Sequence, residues 1–468
     1  MDDVGNAAVD GLEAASPSVT PTRLPQALRG LARRLVPLAF YAAMPALSAL
    51  NAGVGLLLPL LLEPVEFGRY AVVVTLFQYG LIFDIGLSQL TDRRVPLLLA
   101  SSQHEALAHF RNHVLWTRLY LAGVLLAAGA AAFLAVREWA MHGGADFPAG
   151  AGFLSLAAGV FFMVVLGLGS FLRATSDRRA FGRINIAVML ILAVARPAGI
   201  LLGGIVGCFA LLGAAYAALA VRVQAAMPLS LASRPALADA GRLLLQGFPL
   251  FLTSFVWAFY MTANRWVVSG LASSLDVGHF AFGSNVVTLI VGAIGGLAQF
   301  YYPRIVTRCA AEGPFAVSAR IRRDFCIMAI AMGVPTVVGI LAGPALIAAF
   351  YPRFMASAAV VQVLLLAVPS LVVASWLMPV ALSTASRPWV EGLVVYPVAL
   401  AILLAVTRIG FGLDGIHGAA FGLVASAAPL LVLQLWTLRL ARLLTSGDAA
   451  AILAVTAAVT AVAAVLPA

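Results

Sequence analysis

Apolar residues run along this chain in continuous blocks divided by short polar breaks, at about 35–62, 69–92, 114–136, 150–172, 184–204, 207–227, 243–268, 280–302, 324–349, 356–381, 389–407 and 414–437. A block of roughly 20 apolar residues matches the hydrocarbon thickness of a bilayer when coiled as a helix. Outer-membrane barrel strands would alternate polar and apolar positions, and these blocks do not. The stretch 184–227 is too long for one span and divides around Gly203, Gly204 and Gly207. A last Ala-rich run, about 449–467, is a candidate thirteenth span.

Composition agrees, with 62% of the 468 residues hydrophobic and 10% charged, too apolar for a surface that faces water. Residues 1–34 read as a partly disordered cytoplasmic tail, whose polar start lacks the apolar core of a cleavable signal. All 29 basic residues are arginine, and the net charge is +10. That excess could point to nucleic acid, but the arginines punctuate the apolar blocks instead of forming one surface, so no nucleic-acid partner is expected. Starting inside, 23 arginines fall on cytoplasmic loops and adjacent helix ends (Arg118 among them), four on outer loops, and two within spans. Excess arginine on one side is the positive-inside pattern, and it predicts a multi-pass inner-membrane protein with a cytoplasmic N-terminus. Cys208, Cys309 and Cys326 share no metal-type spacing and imply no disulfide framework.

Shifted by 210 residues, the chain matches itself. Glu66 falls on Asp276, Gly68 on Gly278, Gly86 on Gly296, Gln89 on Gln299 and Arg94 on Arg304. An even number of spans separates the copies, so they share one orientation. The predicted fold is an all-α polytopic membrane protein with two six-helix lobes, 35–228 and 243–440, related by a parallel pseudo-twofold repeat. A cytoplasmic linker, 229–242, joins them, and 441–468 follows with the candidate extra helix.

EFGRYAVVVTLFQYGLIFDIGLSQLTDRR (66–94) resembles the second-span region of the Wzx-type polysaccharide-export flippases of the multidrug/oligosaccharidyl-lipid/polysaccharide (MOP) exporter superfamily. QGFPLFLTSFVWAFYMTANRWVVSGLASSLDVGHFAFGSN (246–285) is similar to the opening of their second half, and FLRATSDRRAFGRIN (171–185) to their basic loop after the fourth span. The resemblance implies two lobes around a central cavity that opens alternately to either side. It does not identify the cargo; the partners expected are a lipid-linked sugar as substrate, membrane lipids, and a polysaccharide polymerase and glycosyltransferases.

Charges within spans are the candidate chemistry, since each costs roughly 2.5–3.5 kcal/mol in hydrocarbon. Arg196, followed by Pro197, could fork onto phosphate oxygens, or pair with a helix-end carbonyl or with Asp84. Arg265 could line a cavity mouth or snorkel to the outer interface. Asp84, the one acid well inside a span, could bind a coupling cation or neutralise an arginine, the structural pair being the expected role. Glu391, near an inner helix end, is expected to be solvated. Asn51, Gln78, Tyr260, Asn264, Asn285 and Gln299 suit sugar hydroxyls as a set, although for each alone the favoured role is glue between helices. Glu105, His109 and His113 share one helix face at the headgroups, without the spacing of a metal site. No nucleotide-binding loop or other cofactor motif is present.

The leading expectation is therefore a flippase for polyprenyl-diphosphate-linked oligosaccharide, with no enzymatic centre. A small-solute or drug exporter of the MATE type shares the repeat plan but would show more acids in the first lobe. A membrane glycosyltransferase or polymerase would need a sizeable outer loop, and the outer loops here are short. A non-transporting membrane scaffold fits the same pattern of spans. The arginine asymmetry makes one direct prediction: in a cysteine-free background, Ser233→Cys stays unlabelled by a membrane-impermeant maleimide in intact cells. It becomes labelled after permeabilisation.

Overall fold

The computed structural model describes residues 53–141, 149–175, 178–226, 234–313, 317–384 and 390–465, and all regular structure among them is helical. Lipid dictates this outcome, because a helix satisfies its own backbone groups where no water can. Helix α1 covers 53–61, followed by α2 (Pro64–Ile82), α3 (Leu87–Ala100), α4 (His104–Met141), α5 (Ala149–Ala174) and α6 (Arg178–Ala226). The second half contains α7 (Leu237–Ser269), α8 (Ser274–Glu312), α9 (Ser318–Phe350), α10 (Ala358–Leu365), α11 (Val368–Thr384), α12 (Tyr396–Leu440) and α13 (Ser446–Val465). Among the described residues, nine helical segments are long and apolar enough to cross a membrane. Helix α13 is one of them, so the Ala-rich C-terminal run forms a span-length helix.

Two of the nine, Ala180–Ala225 and Glu391–Leu440, have 46 and 50 residues. Straight helices of that length would reach about 70 Å, more than twice the hydrocarbon thickness. Each instead turns back on itself, and the two turns have the same geometry. In α6 the break is Gly203 (φ −161°, ψ 28°) and Gly204 (φ 59°, ψ −145°). In α12 it is Asp414 (φ −148°, ψ 39°) and Gly415 (φ 51°, ψ −138°). Only the second position has a positive φ, and glycine holds it in both copies. The preceding residues, Leu202 and Leu413, are 82% and 83% exposed at the tip of each turn. The chain doubles back so tightly that Gly199 meets Gly207, and Gly410 meets Gly418, backbone to backbone. The repeat read from the sequence is thus present as a repeated piece of structure, one residue further out of register. The helix passes through Pro197 unbroken, and the bend comes at the glycines instead.

Helix α2 lies at the junction of the copies, against α5 of its own half and α7 and α8 of the other. Its partners along α7 descend as its own numbers rise: Tyr79 stacks on Trp266 (6.4 Å between ring centroids), Phe83 meets Phe255 (5.2 Å), and Gly86 touches Gly247. Helix α2 is therefore antiparallel to α7, and α7 to α8, so the repeat-related pair α2 and α8 run in the same direction. At the far end Gly68 abuts its own repeat mate, a Cβ there falling 2.8 Å from the Gly278 nitrogen. Contact between equivalent residues is what a two-fold axis produces.

Three expectations shift. The second span is not continuous: it breaks at residues 83–86 before α3 begins. The tenth is also broken, with 54° between Pro352–Leu365 and Val368–Met378. Helix α7 starts at Leu237, so the later part of the expected 229–242 linker is helical, with Asp239 in the first turn. Residues 1–52, including the tail, most of the first span and Asn51, lie outside the described residues.

The Gly68–Gly278 approach gives a stability prediction. A methyl group on Gly278 would run into the Pro64 carbonyl, a backbone atom with no rotamer to yield. Gly278→Ala should lower the melting temperature of the purified protein, at a cost of about 1–3 kcal/mol for overpacking. Gly123→Ala, placed in open space, should leave it unchanged or slightly raised.

Candidate functional site

Arg196 projects from the first limb of α6 into an aromatic cluster built by α2, α5 and the second limb of α6. Its guanidinium lies over the Phe77 ring, 6.0 Å from the centroid. Phe77 stacks on Phe162 (5.8 Å) and Tyr216 (6.3 Å), and Phe162 stacks on Tyr216 at 4.5 Å. A cation over a ring face gains roughly 0.5–2 kcal/mol, which offsets part of the cost of its burial. The Nε of Arg196 and the Tyr216 hydroxyl are both buried without a hydrogen-bond partner. Asp84 is not the partner of Arg196.

Arg265 does not snorkel to the surface. It is 2% exposed, between α7 and α8. Its Nε donates to Ser284 Oγ (2.9 Å), and Nη2 to Asn285 Oδ1 (2.8 Å) and Thr288 Oγ1 (3.3 Å). Nη1 has no partner, and neither has the adjoining Asn264 Oδ1. One turn away, Thr262 shares a hydrogen bond with the Tyr79 hydroxyl (2.8 Å), which also accepts from Trp266 Nε1 (2.8 Å). This joins α2 to α7 through polar atoms. Buried Tyr70, on α2, lies within electrostatic reach of both Arg196 and Arg265. One cation thus comes from each half, Arg196 half-buried and Arg265 buried, and among the described residues no carboxylate pairs with either.

The acids are committed elsewhere. Asp84 sits in the break between α2 and α3 and accepts the backbone N–H groups of Gly86 (3.0 Å) and Ser88 (2.9 Å). These donors are freed by the break, and the carboxylate caps them. Arg118 approaches the same carboxylate at 3.7 Å while donating to the Gly167 carbonyl (3.0 Å) and Ser88 Oγ (3.0 Å). Asp84 therefore has the structural role, with Arg118 as the ion-pair partner. Arg118 is 1% exposed, which corrects its assignment to a helix end at the interface. Glu391 is also buried, not solvated. A π-helical turn, Glu391–Val395, packs Gly392 on the Thr253 backbone and lets Thr437 donate to Glu391 Oε1, while Oε2 has no partner.

Of the expected cargo ligands, Arg265 and Asn285 come together, with Asn264 next to Arg265 on α7, and Tyr70 lies within electrostatic reach of both Arg196 and Arg265. Tyr260 is fully buried and shares a hydrogen bond with Ser426 Oγ (2.8 Å), so it binds α7 to α12. Gln78 is half-buried on α2, and the Gln299 side chain lies outside the described residues. Tyr70, Phe77, Tyr79 and Tyr216 were not anticipated. The spacing of Phe67, Tyr70, Val74 and Phe77 does mark one face of α2, a signal hidden by the general apolarity of the span.

No protein-family profile matches the chain, and no curated protein matches it. Its fold does match solved structures. It is similar to the lipid II flippase MurJ in an inward closed conformation (TM-score 0.64, 13% identity, covering 92% of each chain). It is also similar to a multidrug resistance MATE family transporter of the MOP superfamily in an inward-facing conformation (TM-score 0.62, 14% identity, covering 85% of this chain and 94% of that one). A point mutant of the Vibrio cholerae MATE transporter VcmN matches with a TM-score of 0.60 at 14% identity, covering 88% of this chain and 96% of its own. At such identities the likeness establishes a shared fold, and the architecture is that of these membrane proteins.

The Asp84–Arg118 pair gives a second stability prediction. Removing one member strands the other in a buried setting, at a cost of roughly 3–5 kcal/mol. Arg118→Gln should sharply reduce the folded yield, and adding Asp84→Asn should restore part of it. Arg196→Gln combined with Asp84→Asn should show no such rescue.

Proposed function

We propose that the protein carries a polyprenyl-diphosphate-linked oligosaccharide across the inner membrane by alternating access between two six-helix lobes, 35–228 and 243–440, with the N-terminus in the cytoplasm. The observation that carries this reading is the pair of guanidiniums, half-buried Arg196 and buried Arg265, one in each half and neither neutralised by a carboxylate among the described residues. Cations left in that state at membrane depth face an anion or water as a rule. A diphosphate supplies the anion, and arginine's planar fork matches its oxygens. Asn264, Asn285 and the Tyr216 hydroxyl offer both donors and acceptors, as sugar hydroxyls require. Likeness in fold to a lipid II flippase supports the same direction. In such a mechanism the polyprenyl tail stays in lipid while the polar head passes between the halves.

A small-solute exporter is the second reading, and one observation favours it. Glu391 Oε2 is buried and unpartnered, as a group that exchanges a cation would be. Asp84, in contrast, is already engaged as a cap and ion-pair partner.

Arg196 decides between the readings, because it has no hydrogen bond to lose. Arg196→Gln should retain wild-type folded yield and lose translocation of lipid-linked sugar in reconstituted vesicles by about tenfold or more, the equivalent of one charge-assisted contact. Arg196→Lys should keep a fraction, since the charge survives without the fork. Undiminished translocation by the Arg196→Gln variant would remove the residue from the mechanism.

A further inference from the structure

The arginine-rich end of the molecule holds a second basic site, separate from Arg196 and Arg265. A cleft of about 540 Å³ opens there between α3, α4 and α7, within the range of small-ligand sites. Arg94, His109, His113, Asp239, Arg242 and Gln246 supply its polar lining. His109 and His113, one helical turn apart on α4, stand with ring centroids 6.0 Å apart at 70°. The Nε2 of His113 is buried without a partner. Arg94 lies across the Phe110 ring, 5.6 Å from its centroid, which holds the guanidinium at the cleft wall. Asp239 is the one carboxylate in the lining, and Arg242 engages it at 3.3 Å. Two guanidiniums against one acid leave an excess positive charge before the imidazoles are counted.

We propose that this cleft binds the phosphate headgroup of a membrane lipid. Two forked guanidiniums, two imidazoles and an amide converge as donors, and phosphate oxygens accept from all of them. Leu98, Phe110 and Leu243 complete the lining with apolar surface, suited to the first carbons of a lipid chain. Leu245 and Phe248, on the same end of α7, are 74% and 47% exposed and lead from the cleft toward the hydrocarbon. Two walls come from the first repeat and the third from α7, the opening helix of the second, so the bound headgroup bridges the halves. Two lipids share this chemistry: the diphosphate of the polyprenyl-linked cargo, for which the cleft would be a loading site, and an anionic phospholipid. Only the first assignment rests on the translocation reading.

The test titrates sugar-free polyprenyl diphosphate, and separately phosphatidylglycerol, into purified protein in phosphatidylcholine nanodiscs. Arg94 and Arg242 are exposed, so Arg94→Gln/Arg242→Gln should fold as wild type and bind about tenfold more weakly, the equivalent of one lost charge-assisted contact. His109→Asn/His113→Asn should also weaken binding, and Asp239→Asn should strengthen it by removing the competing carboxylate. Arg196→Gln should bind as wild type, which separates this site from the translocation reading. Weakening confined to polyprenyl diphosphate identifies the cargo as the ligand, and weakening toward both lipids identifies phospholipid headgroups. Wild-type affinity for both lipids in the double arginine variant would overturn the site, as would weaker binding by Asp239→Asn.

Discussion

In hydrocarbon a backbone amide without a partner costs several kcal/mol, and the layout of this protein depends on that constraint. It makes the chain helical wherever it crosses, and it makes every interruption a place where replacement partners must be found. The break after α2 is tolerated because the Asp84 carboxylate takes the freed N–H groups of Gly86 and Ser88. Asp84 itself is then held by Arg118, whose Nη1 and Nη2 donate to Gly167 and Ser88 while Nε has no partner. A charged pair thus stands inside the apolar layer to serve a backbone need. The tight hairpins of α6 and α12 instead place their breaks at exposed tips, beside Leu202 and Leu413.

Against that background, Arg196 and Arg265 differ from Arg118. Arg265 is partly provided for by neutral oxygens of Ser284, Asn285 and Thr288, and Arg196 by the face of Phe77. Neither arrangement cancels the charge. The contrast between a cation neutralised for structure and two left positive is what gives the proposed anion path its location.

Much of the fold was legible because hydrophobic blocks, arginine asymmetry and the 210-residue self-match all report on one property, position relative to a membrane. The bend at Gly203–Gly204 followed from the length of the run together with its cluster of glycines. The broken spans were not legible, because a break capped by a side chain, as at Asp84, leaves the run of apolar residues intact. The site was legible only in part. An arginine inside an apolar run announces itself, so Arg196 and Arg265 stood out. Whether an acid such as Glu391 is solvated depends on a local π-turn and on Thr437, 46 residues away. Asp84 illustrates the same limit, since its partner Arg118 sits on another helix and looked, from its position in the chain, like an interfacial residue.

The two glycine contacts between the halves have a mechanical consequence. Gly68 lies near the start of α2 and Gly86 in the break just after its end, so the two contacts stand roughly 25 Å apart along that helix. Each contact therefore stands at one end of α2, and each is narrow enough to act as a fulcrum. For halves that move as rigid bodies, holding one fulcrum while releasing the other turns a small rotation into a wide displacement at the opposite end. A tilt of about 20° would separate the far ends by about 10 Å over such a lever arm, room for a sugar chain to enter. Side chains larger than hydrogen at these points would blunt the pivots and shorten the stroke.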